Sequence, residues 1–151
     1  TAPQVHFSEE KAMNLAMIEI QTQKIPTAAH DISQGGLIQA VIEMIGGDRN
    51  WPAVGVHLNC PEDPFTWLFS ESGGYIIEVD PKNKESVEAI CNKHNVILYD
   101  LGEVTSEQQI VIEAGNESIL NQPVTELLKA WNSKNLVTVG TPIYNNDLKE
   151  K

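Results

Sequence analysis

Segments with helical periodicity and segments with strand-like composition follow one another along the whole chain, and this alternation constrains the fold most strongly. Apolar spacing and cap residues indicate helices over residues 8–23, 36–45, 63–69 and 82–94, and from Pro123 onward. Short apolar runs indicate strands over residues 27–32, 53–58, 74–80, 96–104 and 109–113. Neither a Rossmann nor a P-loop glycine signature accompanies them. We therefore predict an α+β fold, a mixed sheet with helices packed mainly on one face.

The length of the chain bounds its domain organisation. At 151 residues it suits one domain with a substantial hydrophobic core. We expect a single domain over residues 1–140 and a polar, frayed tail over residues 141–151. The sequence opens on Thr1 rather than on Met, and we expect it to be a fragment of a longer polypeptide.

Composition and charge exclude two classes of function. The formal net charge is -11, and the 10 Lys and Arg residues form no continuous basic stripe. A protein that binds the nucleic-acid backbone needs such a stripe to displace counterions. No apolar run approaches the roughly 20 residues that span a bilayer, and the first residues lack the pattern of a signal peptide. We therefore expect a cytoplasmic protein that binds neither nucleic acid nor membrane, whereas a phosphorylated small molecule remains compatible.

The cysteines and histidines form no recognisable metal-binding pattern. Cys60 and Cys91 lie far apart in the sequence, and we expect both to be reduced, buried and structural. His57 and Cys60 have the spacing of half a zinc site, but zinc needs three or four ligands and no second pair follows. We therefore assign no metal ligand to this chain.

The stretch AAHDISQGGL is the first candidate site. It runs from a predicted strand into a predicted helix, with His30 and Asp31 at the strand end. Gly35 and Gly36 expose backbone N–H groups that a phosphate or another anion can approach closely. Ser33 is placed to cap the helix through its hydroxyl. Asp31 is placed to orient the His30 imidazole, to hold a water, or to accept a hydrogen bond from a substrate hydroxyl.

A second polar and glycine-rich stretch, FSESGGY, enters another predicted strand. Glu71 and Ser72 are placed to contact a ligand, and the two glycines that follow allow close approach to the backbone.

Packing and turn formation offer a structural alternative for both stretches. Asp31 followed by Gln34 also reads as a variant capping box, and the two glycines beside them suit tight packing of a helix on a strand. FSESGGY suits a turn between a helix and a strand. The residues alone favour these structural explanations, because short glycine-containing motifs are weak evidence of function.

Both stretches resemble segments of one known family. AAHDISQGGLIQAVIEM is similar to the segment that opens the C-terminal domain in the aminoimidazole ribonucleotide synthetase-related superfamily. WLFSESGGYIIEV, the strands around YDLGEVT and the last helix, VTELLKAWN, continue the similarity, which covers about residues 8–132. Within the superfamily, H-D-x-S-x-G-G-L is most similar to the second, C-terminal half of phosphoribosylformylglycinamidine synthase. Gln34 and Ser70 depart from that pattern, which often has an acidic residue and a glycine there.

The resemblance implies a reaction that the residues alone do not reveal. In the family, ATP phosphorylates the amide oxygen of formylglycinamide ribonucleotide, and ammonia from a glutaminase component displaces the phosphate to give the amidine. Magnesium holds the ATP phosphates, as metal ions do in phosphoryl transfer. The catalytic base, the magnesium carboxylates and most ATP contacts lie in preceding domains, whose motifs are absent here. The resemblance therefore implies an ATP-dependent ligase of purine biosynthesis, with an isolated fragment that is inactive.

The same resemblance implies site residues and partners. It assigns no catalytic residue to this chain, but it implies a wall of the ligand cleft built from His30, Asp31, Ser33, Gly35, Gly36, Glu71 and Ser72. The implied partners are a preceding ATP-binding domain of the same polypeptide, the glutaminase component and the ribonucleotide substrate. We also expect the separated fragment to homodimerise through the face that the missing domain would cover. The alternatives are another enzyme of the superfamily, similar to aminoimidazole ribonucleotide synthetase, a noncatalytic anion-binding domain, or a purely structural domain.

Overall fold

The computed structural model describes residues 6–46, 54–61 and 63–132. Within these ranges the chain forms five α-helices and six strands, with a 3-10 turn, Pro81–Asn83, in front of the fourth helix. In chain order they are α1 (Phe7–Thr22), β1 (Pro26–Asp31), α2 (Gly36–Ile45), β2 (Gly55–Asn59), α3 (Pro64–Phe69), β3 (Tyr75–Val79), α4 (Lys84–His94), β4 (Gly102–Thr105), β5 (Gln109–Ala114), β6 (Glu117–Pro123) and α5 (Val124–Asn132). The predicted tail over residues 141–151 lies outside the described residues.

Four of the strands form a mixed sheet in the order β4-β2-β5-β6. Strand β2 pairs parallel with β5 and antiparallel with β4, and β5 pairs antiparallel with β6. Val56 and Leu58 of β2 lie beside Ile110 and Ile112 of β5, and all four side chains are buried. The alternation along each strand therefore directs one face of the sheet into the protein. This arrangement confirms the predicted α+β class.

Helices α2 and α5 cover the buried face of the four-stranded sheet and complete what we call the sheet core. Its buried members are Leu37, Val41, Ile45, Val56, Leu58, Cys60, Leu68, Ile110, Ile112, Val124 and Leu128. The spacing of the three α2 members, at i, i+4 and i+8, explains why this segment is a helix with one apolar face.

The other two strands, β1 and β3, pair antiparallel as a separate ribbon, and a second core forms where α1 and α4 pack together. The buried members of this ribbon core are Ala16, Ile20, Ile25, Val87, Ile90 and Cys91, with Ile77 and Val79 of β3 packed against them. Helix α1 contributes no residue to the sheet core. It packs on α4 instead, because its apolar face meets the apolar face of that helix.

An ionic cluster links α1 to the end of α4. Lys93 Nζ lies 2.9 and 2.8 Å from the two carboxylate oxygens of Glu19, and His94 Nε2 lies 2.8 Å from one of them. Hydrogen bonds to Lys93 and His94 lower the pKa of the Glu19 carboxyl, and the hydrogen bond from Lys93 has the larger effect. The cluster therefore favours the ionised form of Glu19 in the folded protein.

Two strand predictions differ from the structure. The strand predicted over residues 96–104 is limited to β4, and the apolar residues before it are largely exposed, with Ile97 at 76%. Strand β6 was not predicted, since its sequence, ESILNQP, is mostly polar.

The predicted start of α1 also differs from the structure, because the N-cap residue is His6 rather than Ser8. Within the described ranges, none of the helices is both long and apolar enough to cross a membrane.

Candidate ligand site at the start of helix α2

The antiparallel β1–β3 ribbon brings the two candidate segments side by side. Asp31, the last residue of β1, pairs with Tyr75, the first residue of β3. One residue further along, the Ile32 N–H donates to the Gly74 carbonyl at 2.9 Å. The loop that leads into α2 therefore leaves the ribbon at the same end at which the FSESGGY segment enters it.

A hydrogen bond between the two loops defines the centre of the site. The Gly35 N–H donates to Glu71 Oε1 at 2.7 Å, across 36 positions of sequence. The two segments were predicted as separate candidates, and the structure joins them into one. We call this contact and the residues around it the Gly35–Glu71 site.

The start of α2 is shaped by left-handed backbone. Gly35 and Gly36 have φ angles of +85° and +73°, which glycine tolerates and other residues adopt rarely. Gly35 is the N-cap of the helix, so the cap residue itself has no side chain that could make a capping hydrogen bond. The Gly36 N–H donates to the Ser33 carbonyl at 3.1 Å. The predicted cap by the Ser33 hydroxyl is therefore wrong, because the Ser33 main chain makes this contact instead.

Gly36 also permits the close packing of α2 on α3. A Cβ atom at this position would lie 2.6 Å from the Leu68 carbonyl oxygen and 2.8 Å from the Phe69 Cα. Both distances are shorter than real Cβ atoms tolerate, and both involve backbone. Tight packing therefore explains why position 36 is a glycine.

His30 is held by protein groups on both ring nitrogens. Its Nδ1 lies 2.7 Å from the Asp31 carbonyl oxygen, and its Nε2 lies 3.3 Å from Glu43 Oε2. The other Glu43 oxygen accepts a hydrogen bond from Gln39 Nε2 at 2.9 Å. Glu43 and Gln39 were not predicted as site residues, because in the sequence they look like ordinary polar residues on the outer face of a helix. Through these contacts, His30 ties the end of β1 to the middle of α2.

The remaining predicted site residues lie at the surface. The Asp31 side chain is 63% exposed and lies 3.5 Å from His30 Nδ1. Ser33, Glu71 and Ser72 are also exposed, and Ser72 accepts a hydrogen bond from the Ser70 hydroxyl at 3.0 Å. Neither candidate segment contains a Lys or Arg. An anion at this site would therefore depend on backbone N–H groups and on the dipole of α2.

Helices α1 and α3 form the edges of the site. On one side, the Tyr75 hydroxyl donates to Asn14 Oδ1 of α1 at 2.7 Å. On the other side, Phe65 and Phe69 of α3 stack with ring centroids 6.3 Å apart, and they remain 72% and 56% exposed. Together with Thr66 and Ser70, these rings line a shallow depression next to Glu71. The site thus has a polar centre and one apolar edge.

The groups considered for metal binding lie elsewhere and contact other partners. His57 Nε2 lies 3.0 Å from Glu113 Oε2, whereas Cys60 is buried in the sheet core. Burial raises the pKa of the Cys60 thiol and of the Cys91 thiol, and the two lie in different cores. Among the described residues, no three His, Cys, Asp or Glu side chains are grouped so that they could hold a metal ion.

Comparison with protein families and curated proteins gives consistent relatives. Residues 2–115 match the family described as AIR synthase related protein, C-terminal domain. The chain is 28% identical over 136 residues to phosphoribosylformylglycinamidine synthase subunit PurL of Chlorobium chlorochromatii, covering 86% of this chain and 18% of that protein. It is 30% identical over 115 residues to the probable tegument protein antigen 3 of Alcelaphine herpesvirus 1, covering 76% of this chain and 8% of that protein. The chain therefore spans less than a fifth of the length of these curated relatives.

Solved structures of PurL from Thermotoga maritima share the fold. The structure in complex with ATP superimposes with a TM-score of 0.65 at 25% identity, over 79% of this chain and 21% of that one. The complex with FGAR gives 0.67 at 21% identity, over 79% and 20%. The PurLQS structure gives 0.71 at 22% identity, over 83% and 22%. These similarities agree with the α+β class predicted from the sequence.

Proposed function

The chain belongs to the family of AIR synthase related proteins, as its C-terminal domain, and from that premise we propose that it forms one wall of the ligand cleft in a phosphoribosylformylglycinamidine synthase. In this proposal the intact enzyme is a cytoplasmic, ATP-dependent ligase of purine biosynthesis. It converts formylglycinamide ribonucleotide into the corresponding amidine. The present chain supplies binding groups and is inactive without the preceding domains.

The observation that carries this proposal is the contact between Gly35 and Glu71. It joins the two segments that most resemble the family, although they are distant in the sequence. Packing of α2 on α3 brings Gly36 against Leu68 and Phe69, and the contact between Gly35 and Glu71 adds a polar junction next to it. The proximity of the two polar segments at one end of the ribbon is therefore the argument for a binding surface.

The proposed chemistry of the site follows from its exposed groups. The phosphate of the ribonucleotide approaches the first turn of α2, where backbone N–H groups and the helix dipole stabilise negative charge. Asp31 accepts hydrogen bonds from ligand hydroxyls, and Ser33 and Ser72 donate hydrogen bonds to the ligand. In the intact enzyme, the amide oxygen of the substrate attacks the γ-phosphorus of ATP and ADP leaves. Ammonia then adds to the carbon that bears the O-phosphoryl group, its nitrogen loses a proton, and inorganic phosphate leaves with the electrons of the broken C–O bond.

ATP and Mg²⁺ are assigned to the preceding domains. The described part of the chain groups no three potential metal ligands, and the carboxylates near the site are dispersed. These residues therefore do not fit a magnesium site, and we assign no catalytic step in this chain to the metal. The similarity to PurL in complex with ATP supports nucleotide binding by the intact enzyme.

The proposed partners follow from the same assignment. They are the preceding ATP-binding domain of the same polypeptide, the ribonucleotide substrate, and a glutaminase component that supplies ammonia. The similarity to PurLQS, whose name denotes an assembly, supports the last of these. Because Phe65 and Phe69 are exposed at the edge of the site, we include pairing of the separated chain with a second copy of itself.

A noncatalytic domain is the second candidate, and two observations favour it. One curated relative is named as a tegument protein rather than as an enzyme. Both ring nitrogens of His30 also lie close to protein oxygen atoms, 2.7 Å from the Asp31 carbonyl and 3.3 Å from Glu43 Oε2, and these contacts position the ring within the fold. Under this alternative, the site residues would matter for folding and not for turnover.

The substitution Asp31→Asn in the intact polypeptide that carries this chain separates the two candidates. With formylglycinamide ribonucleotide, ATP and free ammonia as substrates, we expect KM for the ribonucleotide to rise and kcat/KM to fall about tenfold or more. One charge-assisted contact contributes roughly 1.5–3 kcal/mol, which corresponds to at least that factor. Glu113→Gln is the matched control, because Glu113 contacts His57 on a different part of the fold. Equal kcat/KM for Asp31→Asn and the control, with both folded, would favour the noncatalytic candidate.

A further inference from the structure

Helix α1 carries apolar residues on two opposite faces. One face is buried where α1 packs on α4 and contributes to the ribbon core. The other carries Phe7, Leu15 and Ile18, whose side chains are 82%, 44% and 59% exposed. At 3.6 residues per turn these three fall within about 80° of arc, on the side of the helix away from α4. We call them the outer stripe.

The outer stripe is unusual for a helix at the surface of a soluble domain. Such a helix normally has one apolar face, which packs on the core, and one polar face, which meets water. Apolar residues grouped on the solvent side indicate a surface that another protein unit covers.

We propose that the outer stripe is the docking surface for the domain that precedes this one in the intact polypeptide. This inference rests on the function proposed above, which includes such a domain as a partner. It adds the residues through which the two domains meet.

The size of the outer stripe favours a covalently linked partner over a second copy of the chain. Its side chains offer on the order of 300 Å² of apolar surface, whereas a stable complex of separate molecules buries roughly 800 Å² on each partner. A second copy would also carry the same net charge of -11. A domain of the same polypeptide needs less contact area, because its tether keeps it at a high effective concentration.

The covalent connection brings the preceding domain within reach of the outer stripe. The matching family is described as a C-terminal domain, and this chain spans less than a fifth of the curated relatives, so most of their length lies outside the matched region. Residues 1–6 precede α1, and six extended residues reach about 20 Å. The 16 residues of α1 span about 24 Å. A domain joined to residue 1 is therefore anchored within about one helix length of the outer stripe.

Helix α1 also leads from the outer stripe to the Gly35–Glu71 site. Asn14, the neighbour of Leu15, accepts the hydrogen bond from the Tyr75 hydroxyl at 2.7 Å. One turn earlier, Glu10 Oε1 lies 3.4 Å from a Cβ atom built at Gly73. The helix therefore runs along the end of the ribbon at which the FSESGGY segment enters. A domain docked on the outer stripe would form the opposite wall of a cleft beside that segment.

The test compares thiol labelling of Leu15→Cys in the 151-residue chain and in the intact polypeptide. We expect the thiol at position 15 to react about tenfold or more slowly in the intact polypeptide, because the docked domain covers it. Ile97→Cys is the matched control, since Ile97 is apolar, 76% exposed and follows α4 instead of lying on α1. It should react at the same rate in both proteins. Mass spectrometry of the labelled peptides separates these thiols from the buried Cys60 and Cys91.

Hydroxyl-radical footprinting of the two unsubstituted proteins is a second measurement that needs no variant. The Phe7 ring should be oxidised more slowly in the intact polypeptide than in the 151-residue chain. Equal rates in the two proteins, at position 15 or at Phe7, would overturn the inference.

Two other outcomes would also overturn it. Equal slowing at positions 15 and 97 would show that the protection is not specific to the outer stripe. Protection of the separate chain that increases with its concentration would identify a second copy as the occupant. The Asp31→Asn assay decides the proposed function separately, because it measures amidation, whereas the labelling rates do not depend on turnover.

Discussion

Replacing Gly36 with Ala should lower the free energy of unfolding by more than the backbone cost of a positive φ angle alone. The φ angle of +73° is unfavourable for a residue with a Cβ atom, at a cost of about 1–2 kcal/mol. The added methyl group would also lie 2.6 Å from the Leu68 carbonyl oxygen and 2.8 Å from two main-chain atoms of Phe69. Relieving such an overlap by shifting α3 costs about 1–3 kcal/mol more. We therefore expect a total loss of about 2–5 kcal/mol in the free energy of unfolding.

Gly115 provides the matched control for this substitution. It has a similar φ angle of +60°, but nothing lies within 4 Å of a Cβ atom built there. Gly115→Ala should therefore cost only the backbone contribution of about 1–2 kcal/mol. The difference between the two variants isolates the contact between α2 and α3.

Urea denaturation followed by circular dichroism measures both variants. The free energy of unfolding is obtained from the midpoint, provided that the slope with denaturant concentration is unchanged. Equal losses for Gly36→Ala and Gly115→Ala would refute the packing argument. A bulkier residue such as Val at position 36 would meet α3 in the same way. A loss of activity in such a variant would therefore report on packing and not on the approach of a phosphate.

Two further predictions concern titration and reactivity. The lowered pKa of Glu19 means that its stabilising contribution is complete above the ordinary value of 4.5 and is lost as pH falls through the lower folded value. Glu19→Gln should therefore make the urea midpoint fall less steeply between neutral pH and about pH 3, and parallel curves would contradict this. Burial raises the pKa of Cys60 and of Cys91, so both thiols should react slowly with a thiol reagent in the folded chain and rapidly in urea. Fast labelling of the folded chain would contradict that.

Elements specified by local signals could be predicted from the sequence. The short helix α3 is one example, since Asp63 accepts a hydrogen bond from the Thr66 N–H at 3.3 Å, and Pro64 follows it as the first helical residue. The apolar face of α2 is another. Such signals lie within one turn of helix and do not depend on distant parts of the chain.

Features that depend on distant partners could not be predicted. Strand β6 forms because its backbone pairs with β5, although its own sequence is largely polar. The apolar run before β4 suggested a longer strand, but Ile97 stays exposed and only Gly102–Thr105 pairs with β2. The division of the strands into two sheets likewise depends on which segments meet, and periodicity carries no information about that.

The candidate site shows the same limit. Both of its segments were identified from polar and glycine-rich composition, yet the contact between Gly35 and Glu71 was not, because it spans 36 positions. The contribution of Glu43 was missed because a single glutamate on a helix carries no distinguishing signal. The Ser33 cap was predicted from residue type, whereas the left-handed backbone at Gly35 turns the main chain so that the Ser33 carbonyl takes the contact.

The two hydrophobic cores are interleaved along the chain, and this has a consequence for synthesis and for dissection of the protein. Helices α1 and α4 contribute residues to the ribbon core, whereas α2, β5 and α5 contribute residues to the sheet core. During synthesis on the ribosome, the ribbon core cannot form before residues near Cys91 have been made. The sheet core cannot form before residues near Leu128 have been made. No single cut between these elements yields two pieces that each retain a complete core. One cut therefore cannot separate the two cores, and a nascent chain exposes unpaired apolar faces until almost all of the described residues have been made.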